Sequence, residues 1–130
     1  MKSQPSKTSA DYAYPDPGEL NQRVRLRQRV DIPNDDFGVT AEFTGEKTVW
    51  AKVRQVGATT YRESVQTGDA VTHYLTIRYR PGVTVDFEMV MSGGNVLRIR
   101  RIRDLNSARR FLLLECEDLG SNTPVEVIYG

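Results

Sequence analysis

Val71-Thr72-His73-Tyr74-Leu75-Thr76-Ile77-Arg78-Tyr79-Arg80-Pro81-Gly82-Val83 is a strand that stops abruptly. Val71, His73, Leu75, Ile77 and Tyr79 recur every second residue, which puts them on one face of an extended segment. Thr72, Tyr74, Thr76, Arg78 and Arg80 fall on the other. Pro81-Gly82 ends the strand, because proline has no N–H for the ladder and glycine accepts a left-handed turn.

The same period recurs on both sides of this stretch. Residues 22–30 place Val24, Leu26 and Val30 on one side and Arg23, Arg25, Arg27 and Arg29 on the other. Residues 47–56 alternate Val49, Ala51 and Val53 with Trp50, Lys52 and Arg54. Val85, Phe87, Met89 and Met91 mark a fourth strand, Ser92-Gly93-Gly94-Asn95 a hairpin turn, and residues 96–102 and 110–117 two more strands. Between them, residues 31–45 carry Pro33, Asn34, Asp35, Asp36 and Gly38 and read as a long turn-rich loop. Residues 60–66 suit a short helix, with Thr59 or Thr60 as cap and Glu63 closing a capping box. Six strands and at most one helical turn predict an all-β domain. Closing them into a small barrel removes the sheet edges an open sheet would leave exposed.

The chain has 130 residues, 38% of them hydrophobic, which suffices for one domain with a modest core. No apolar run approaches the ~20 residues that span a bilayer, and no membrane partner is expected. Residues 1–17 are polar and contain Pro5, Pro15 and Pro17, so they read as an N-terminal arm without its own fold, leaving 18–119 as the domain and 120–130 as a tail. The single cysteine, Cys116, excludes an intrachain disulfide, fits a reducing cytoplasm, and lies in an apolar strand that suits an inert buried thiol.

An enzyme is not expected. His73 is the only histidine and shares a strand face with Val71, Leu75 and Ile77, the setting of a structural side chain. Without a second histidine or a cysteine cluster there is no ligand set for zinc or another transition metal. Gly93-Gly94 precedes a strand, not a helix, and so makes a turn and not a phosphate cradle. No cofactor is implied.

The arginines form the main question. With 18 basic and 17 acidic residues the net charge is +1, whereas a protein built to grip nucleic acid shows a clear basic excess. The row Arg23, Arg25, Arg27, Arg29 and the group Arg98, Arg100, Arg101, Arg103, Arg109, Arg110 fit three readings. They are a solvated face paired with glutamates, forks for acidic or carbonyl groups on neighbouring subunits, or contacts to DNA. Arg78 belongs to the same question. Trp50 is either a core residue or an interface anchor. In the tail, Val125, Val127 and Tyr129 alternate, as in a strand that adds to a neighbour's sheet edge or in a frayed end.

Six pieces in order resemble one family. Gly18-Glu19-Leu20-Asn21-Gln22-Arg23-Val24-Arg25-Leu26 is similar to its opening G-x-L-x-x-R-V-x-L. Phe37-Gly38-Val39-Thr40-Ala41-Glu42-Phe43 is similar to its G-G-V-T-x-x-W/F, with Phe37 where glycine is usual. Val49-Trp50-Ala51-Lys52-Val53 matches V-W-A-x-V, the strand ending in Ile77-Arg78-Tyr79-Arg80-Pro81-Gly82-Val83 matches its centre, and Arg109 to Glu117 its closing strand. Gly93 to Ile99 resembles its G-x-x-Y-x-I hairpin, with Leu97 in the tyrosine place. Together these resemble the head–tail joining proteins of long-tailed bacteriophages, the head-closure or stopper proteins. The resemblance implies a virion protein at the head–tail neck, assembled in the host cytoplasm. It implies a homo-oligomeric ring of six or twelve copies below the portal or adaptor protein, above a tail-completion or tail-tube protein, with double-stranded DNA in the lumen. It also implies that residues 55–69 project toward the channel, with Arg62, Glu63 and Gln66 as candidates to face DNA; the residue readings above add Trp50, Arg23, Arg25, Arg27, Arg78, Val125, Val127 and Tyr129 as candidate subunit or partner contacts. A tail-completion module of the same machinery and a nucleic-acid-binding small barrel are the alternative readings.

Overall fold

A computed structural model describes residues 13–121. The six strands are β1 (Gln22–Pro33), β2 (Val39–Gln55), β3 (His73–Arg78), β4 (Phe87–Met91), β5 (Asn95–Asp104) and β6 (Phe111–Ser121). They close into a barrel in the order β1-β2-β3-β6-β5-β4, every pairing antiparallel. One helix, α1 (Ala58–Gln66), joins β2 to β3, and single 3-10 turns precede β1 and β6. The all-β barrel with one short helix is the expected fold. No helix among the described residues is long and apolar enough to cross a membrane.

Alternate residues of every strand fill the interior. Val24 and Leu26 of β1, Ala51 of β2, Leu75 and Ile77 of β3, Met89 of β4, Leu97 and Ile99 of β5, and Leu112, Leu114 and Cys116 of β6 form one buried cluster. Leu75 and Ile77 are fully buried while Arg78 is exposed, as the alternation in β3 requires. Ile77→Ala should therefore cost about 2–5 kcal/mol through the cavity it leaves, and Arg78→Ala far less. Urea unfolding of both variants checks this; equal losses would mean the faces are reversed.

Three register shifts interrupt period two, at Val96/Leu97 and at the two bulges that follow. Ile99 and Ile102 both turn inward although three residues apart, because Ile99 pairs Cys116 and Arg101 pairs Glu115, leaving Arg100 as an extra residue. On the other side, Leu26 pairs Lys47 and Gln28 pairs Thr44, so β2 has one residue more than β1. Gly45 supplies the left-handed conformation there, with φ +62, as a glycine bulge requires.

Residues 31–45 are not a long loop. Most of them continue β1 and β2 beyond the barrel as a two-stranded ribbon, with Val30 opposite Glu42 and Pro33 opposite Val39. β4 leaves β1 at Gln28, so the ribbon has no third strand and both its faces meet solvent. Val30, expected inward, is exposed for this reason, as are Ile32, Val39 and Phe43. The turn itself is short. The Asn34 carboxamide oxygen accepts from the N–H groups of Asp36 and Gly38 at 2.9 and 3.1 Å, and its nitrogen donates to Thr40 Oγ1. Val85 also lies outside its expected strand, exposed ahead of Phe87.

A second, smaller cluster lies outside the main core. Leu20, Leu105 and Phe111 are buried together, with Tyr14 and Leu113 packed against them. Residues 14–19 are thereby held on the barrel. Asp16 N–H donates to Glu19 Oε1 at 2.8 Å, and Lys52 Nζ lies 3.2 Å from Glu19 Oε2. The Asp16 hydrogen bond and then Lys52 hold the Glu19 carboxyl below its usual pKa.

Candidate interaction surface

The outward side chains of β1, β2, β3 and β6 line up in rows across the barrel wall. Register brings Arg23 opposite Trp50 and Arg78 opposite Phe111, and the Ala51–Ile77 pair sets Trp50 beside Arg78. The Arg23 guanidinium lies 5.4 Å from the Trp50 ring centre and that of Arg78 5.8 Å from Phe111. Tyr14 continues the belt, 5.3 Å from Phe111 and capped by Arg110 at 4.9 Å. Further along the wall, Arg54 sits 5.3 Å from the Tyr74 ring. Lys52, Arg54, Tyr74, Thr76, Arg103 and Glu115 line an open cleft of about 370 Å³.

The arginines thus fall into two chemical groups. Arg25 pairs with Glu46 at 3.2 Å, Arg29 with Asp31 at 2.9 Å, Arg103 with Glu115 at 2.8 Å, and Arg100 with Glu117. Arg25 and Arg29 are the carboxylate-paired, solvated arginines of the first reading, each pair contributing about 0–1 kcal/mol, whereas Arg100 and Arg103 meet glutamates that are mostly buried. Arg23, Arg54, Arg78 and Arg110 instead lie over aromatic rings and meet no carboxylate among the described residues. A guanidinium held by a ring keeps its N–H edge for an incoming acceptor.

Arg27 belongs to neither group and corrects the expected row. Its strand face is outward, but the side chain is only 10% exposed. Arg27 Nη2 donates to Glu88 Oε1 at 3.1 Å, and the Phe43 ring lies 3.7 Å from its guanidinium carbon. Glu88 is 6% exposed and has Arg29 Nη1 at 3.9 Å. The extra residue at Gly45 re-aims β2 so that Phe43 covers this pair. Arg27 is therefore a component of the fold and not a free contact residue.

The remaining expected positions are dispersed. Trp50 is 53% exposed, so it is not a core residue. It lines a groove of about 440 Å³ with Pro17, Leu20, Asn21 and Arg78. Arg62, Glu63 and Gln66 lie on α1, within the β2–β3 connection, and are exposed. The helix begins at Ala58 after Gly57 and not at a threonine cap. None of its residues is buried. Ser64 holds it, accepting from Val71 N–H at 2.9 Å and donating to the Tyr61 carbonyl. Val125, Val127 and Tyr129 lie outside the described residues. Lys52, Arg54 and Tyr74 escape sequence reasoning as members of one cleft, because only strand register makes them neighbours.

The interior offers no reactive group. Burial, reinforced by the charge of Glu115, pushes the Cys116 thiol up to about 12, so it stays neutral. His73 Nδ1 lies 2.8 Å from Thr72 Oγ1, which also accepts from Asp118 N–H, a local structural network.

No curated protein matches the chain. The solution structure of protein SF1141 from Shigella flexneri 2a is similar at a TM-score of 0.58 and 22% identity, covering 80% of this chain and 96% of that one. A chain of the virion of a native gene transfer agent particle is similar at 0.51 and 14% identity, covering 78% and 96%. At these identities the likeness is one of fold. The family model of the phage head completion protein matches residues 15–119, from just before the Pro17–Glu19 turn to within two residues of the end of β6, and the chain belongs to that family.

Proposed function

We propose that the chain is a structural neck protein that forms a ring below the portal or adaptor, continues or closes the DNA channel there, and receives a tail-completion or tail-tube protein. Helix α1 carries this reading. A nine-residue helix is not stable alone in water, yet none of this one is buried on its own barrel, and it exposes Tyr61 and Val65 one turn apart. Such a segment suits a lumen or a neighbour. Arg62 and Glu63 give it both charge signs, which suits a gate that meets DNA without gripping it.

The filled barrel supports the ring. Leu26, Leu75, Ile77, Met89, Leu97, Ile99 and Leu114 occupy the interior at 2% exposure or less, so no duplex passes through one subunit. A channel requires several copies around an axis. The kinship with head completion proteins and the fold shared with a gene transfer agent virion chain point the same way. Assembly would take place in the host cytoplasm and the finished protein would sit in the neck.

The ring-stacked arginines favour one second reading, a barrel that binds nucleic acid directly. Its mark would be binding to free duplex that falls steeply with salt. For the main reading, gold-labelled antibody to this chain on purified virions should mark the head–tail junction. Label spread over the capsid or at the tail tip would overturn it.

A further inference from the structure

The β1–β2 ribbon ends in an unusual knob. Phe37 stands at its apex, fully exposed, with φ +63. A left-handed backbone is uncommon for an aromatic residue and natural for glycine. The turn beneath it is fixed by the three Asn34 side-chain hydrogen bonds described above, so Phe37 is presented and not merely frayed. Asp35 and Asp36 precede it, both exposed and without an ion-pair partner among the described residues.

The opposite end of the same two strands carries a complementary patch. Trp50, Leu20 and Pro17 line an open groove with Arg78, and Arg23 lies over the Trp50 ring. Arg23 and Arg78 are two of the arginines that meet no carboxylate among the described residues. Apolar surface with free guanidinium edges fits an aromatic side chain flanked by carboxylates.

We propose that the tip Asp35-Asp36-Phe37 docks into the Trp50–Arg78 groove of a second copy of this chain. It cannot reach its own groove: Arg23 and Asn34 are the ends of one extended strand, on the order of 35 Å apart at ~3.3 Å per residue. The contact is between different patches, so it is head-to-tail, and a head-to-tail contact closes into a ring when its rotation allows. The proposal rests on the ring reading and gives that ring its joint.

The test uses purified full-length chain in sedimentation velocity over a wide concentration range. Phe37→Gly should weaken self-association on the order of thirtyfold, as loss of an interface hot spot does, while melting no lower than wild type. Charge reversal makes the partner explicit. A D35R/D36R variant and an R23E/R78E variant should each fail to associate alone. Their equimolar mixture should associate, since each tip then finds a groove of opposite sign. Rings of wild type that form equally well with Phe37→Gly, or failure of the mixture to recover, would overturn the docking and leave the ring intact. Wild type that stays monomeric throughout would also overturn the docking, and the ring reading would then stand or fall on the virion labelling alone. Loss of Phe37→Gly from virions with no change in self-association would mean that the knob meets a different virion protein, which likewise overturns the proposal.

Discussion

Arg27→Ala is expected to destabilise the barrel by about 3–5 kcal/mol, more than any other arginine substitution in the chain. The reason is what it leaves behind. Glu88 is 6% exposed, and its near partner is Arg27 at 3.1 Å; Arg29 stands off at 3.9 Å. Removing the guanidinium strands a buried carboxylate and also empties the space over the Phe43 ring. Arg25→Ala is the control. Its pair with Glu46 is about half exposed on both sides, so its loss should stay below about 1 kcal/mol. The double change Arg27→Met with Glu88→Leu should recover most of the stability, because apolar side chains of similar volume often replace a buried ion pair at little or no cost. Arg27→Lys should fall between, keeping the charge but losing the flat face that stacks on Phe43. Guanidinium unfolding with unchanged m-values would report all four. An Arg27→Ala loss as small as that of Arg25→Ala would mean the pair is solvated and the outer row is uniform after all.

The contrast between Arg25 and Arg27 shows where the sequence stops being legible. Both are outward on β1, and period two treats them alike. They differ because Gly45 adds a residue to β2 and Phe43 then covers one of them. A single glycine in a polar stretch does not announce that. The barrel itself is readable because Leu75 and Ile77 in β3, Leu97 and Ile99 in β5, and Leu112, Leu114 and Cys116 in β6 recur every second residue on the dry inner face, and burial imposes that alternation. Even the breach at Ile99 and Ile102 is absorbed by one extra residue, Arg100. The ribbon was unreadable for the converse reason. Ile32, Val39 and Phe43 sit on strands with solvent on both faces, so no dry side exists to organise them. Pro33, Asn34, Asp35, Asp36 and Gly38 then dominated the reading, although they serve only the turn and its edge. The site suffers the same limit. Trp50, Arg78 and Arg23 are each legible in the sequence as candidate contact residues, but their assembly into one groove is a product of register.

Replacing residues 58–68 by a short Gly-Ser turn should leave a folded barrel and a defective neck. The fold should survive because the segment is an excursion from a closed ladder. Gln55 pairs His73, and Val56 N–H still donates to the Thr72 carbonyl at 2.9 Å, so the cut ends are already adjacent. No residue of α1 is buried, and closure entropy changes only slowly with loop length. The bonds that cross the cut are lost, among them that of Asp69 N–H to the Ser64 carbonyl at 3.2 Å. Val71 N–H gives up its 2.9 Å bond to Ser64 Oγ, and the buried Val71 side chain gains exposure. Together these should cost about 1–3 kcal/mol, short of unfolding a domain of this size. The assembly surface proposed above, the ribbon tip and the Trp50 groove, is untouched, so the variant should still enter the neck. The loss should appear in what the helix does there. In a phage lacking this protein and complemented with the variant, heads should fill and then release DNA, or hold it and fail to take tails. Counting filled heads and tailed particles separates these outcomes. Wild-type DNA retention together with wild-type tail joining would remove α1 from the channel. A variant that cannot fold would place the helix in the structural core, although none of its residues is buried. A variant that folds but is missing from the neck would move α1 from the lumen to the subunit or partner interface, where Tyr61 and Val65, one turn apart and both exposed, would be the side chains to change next.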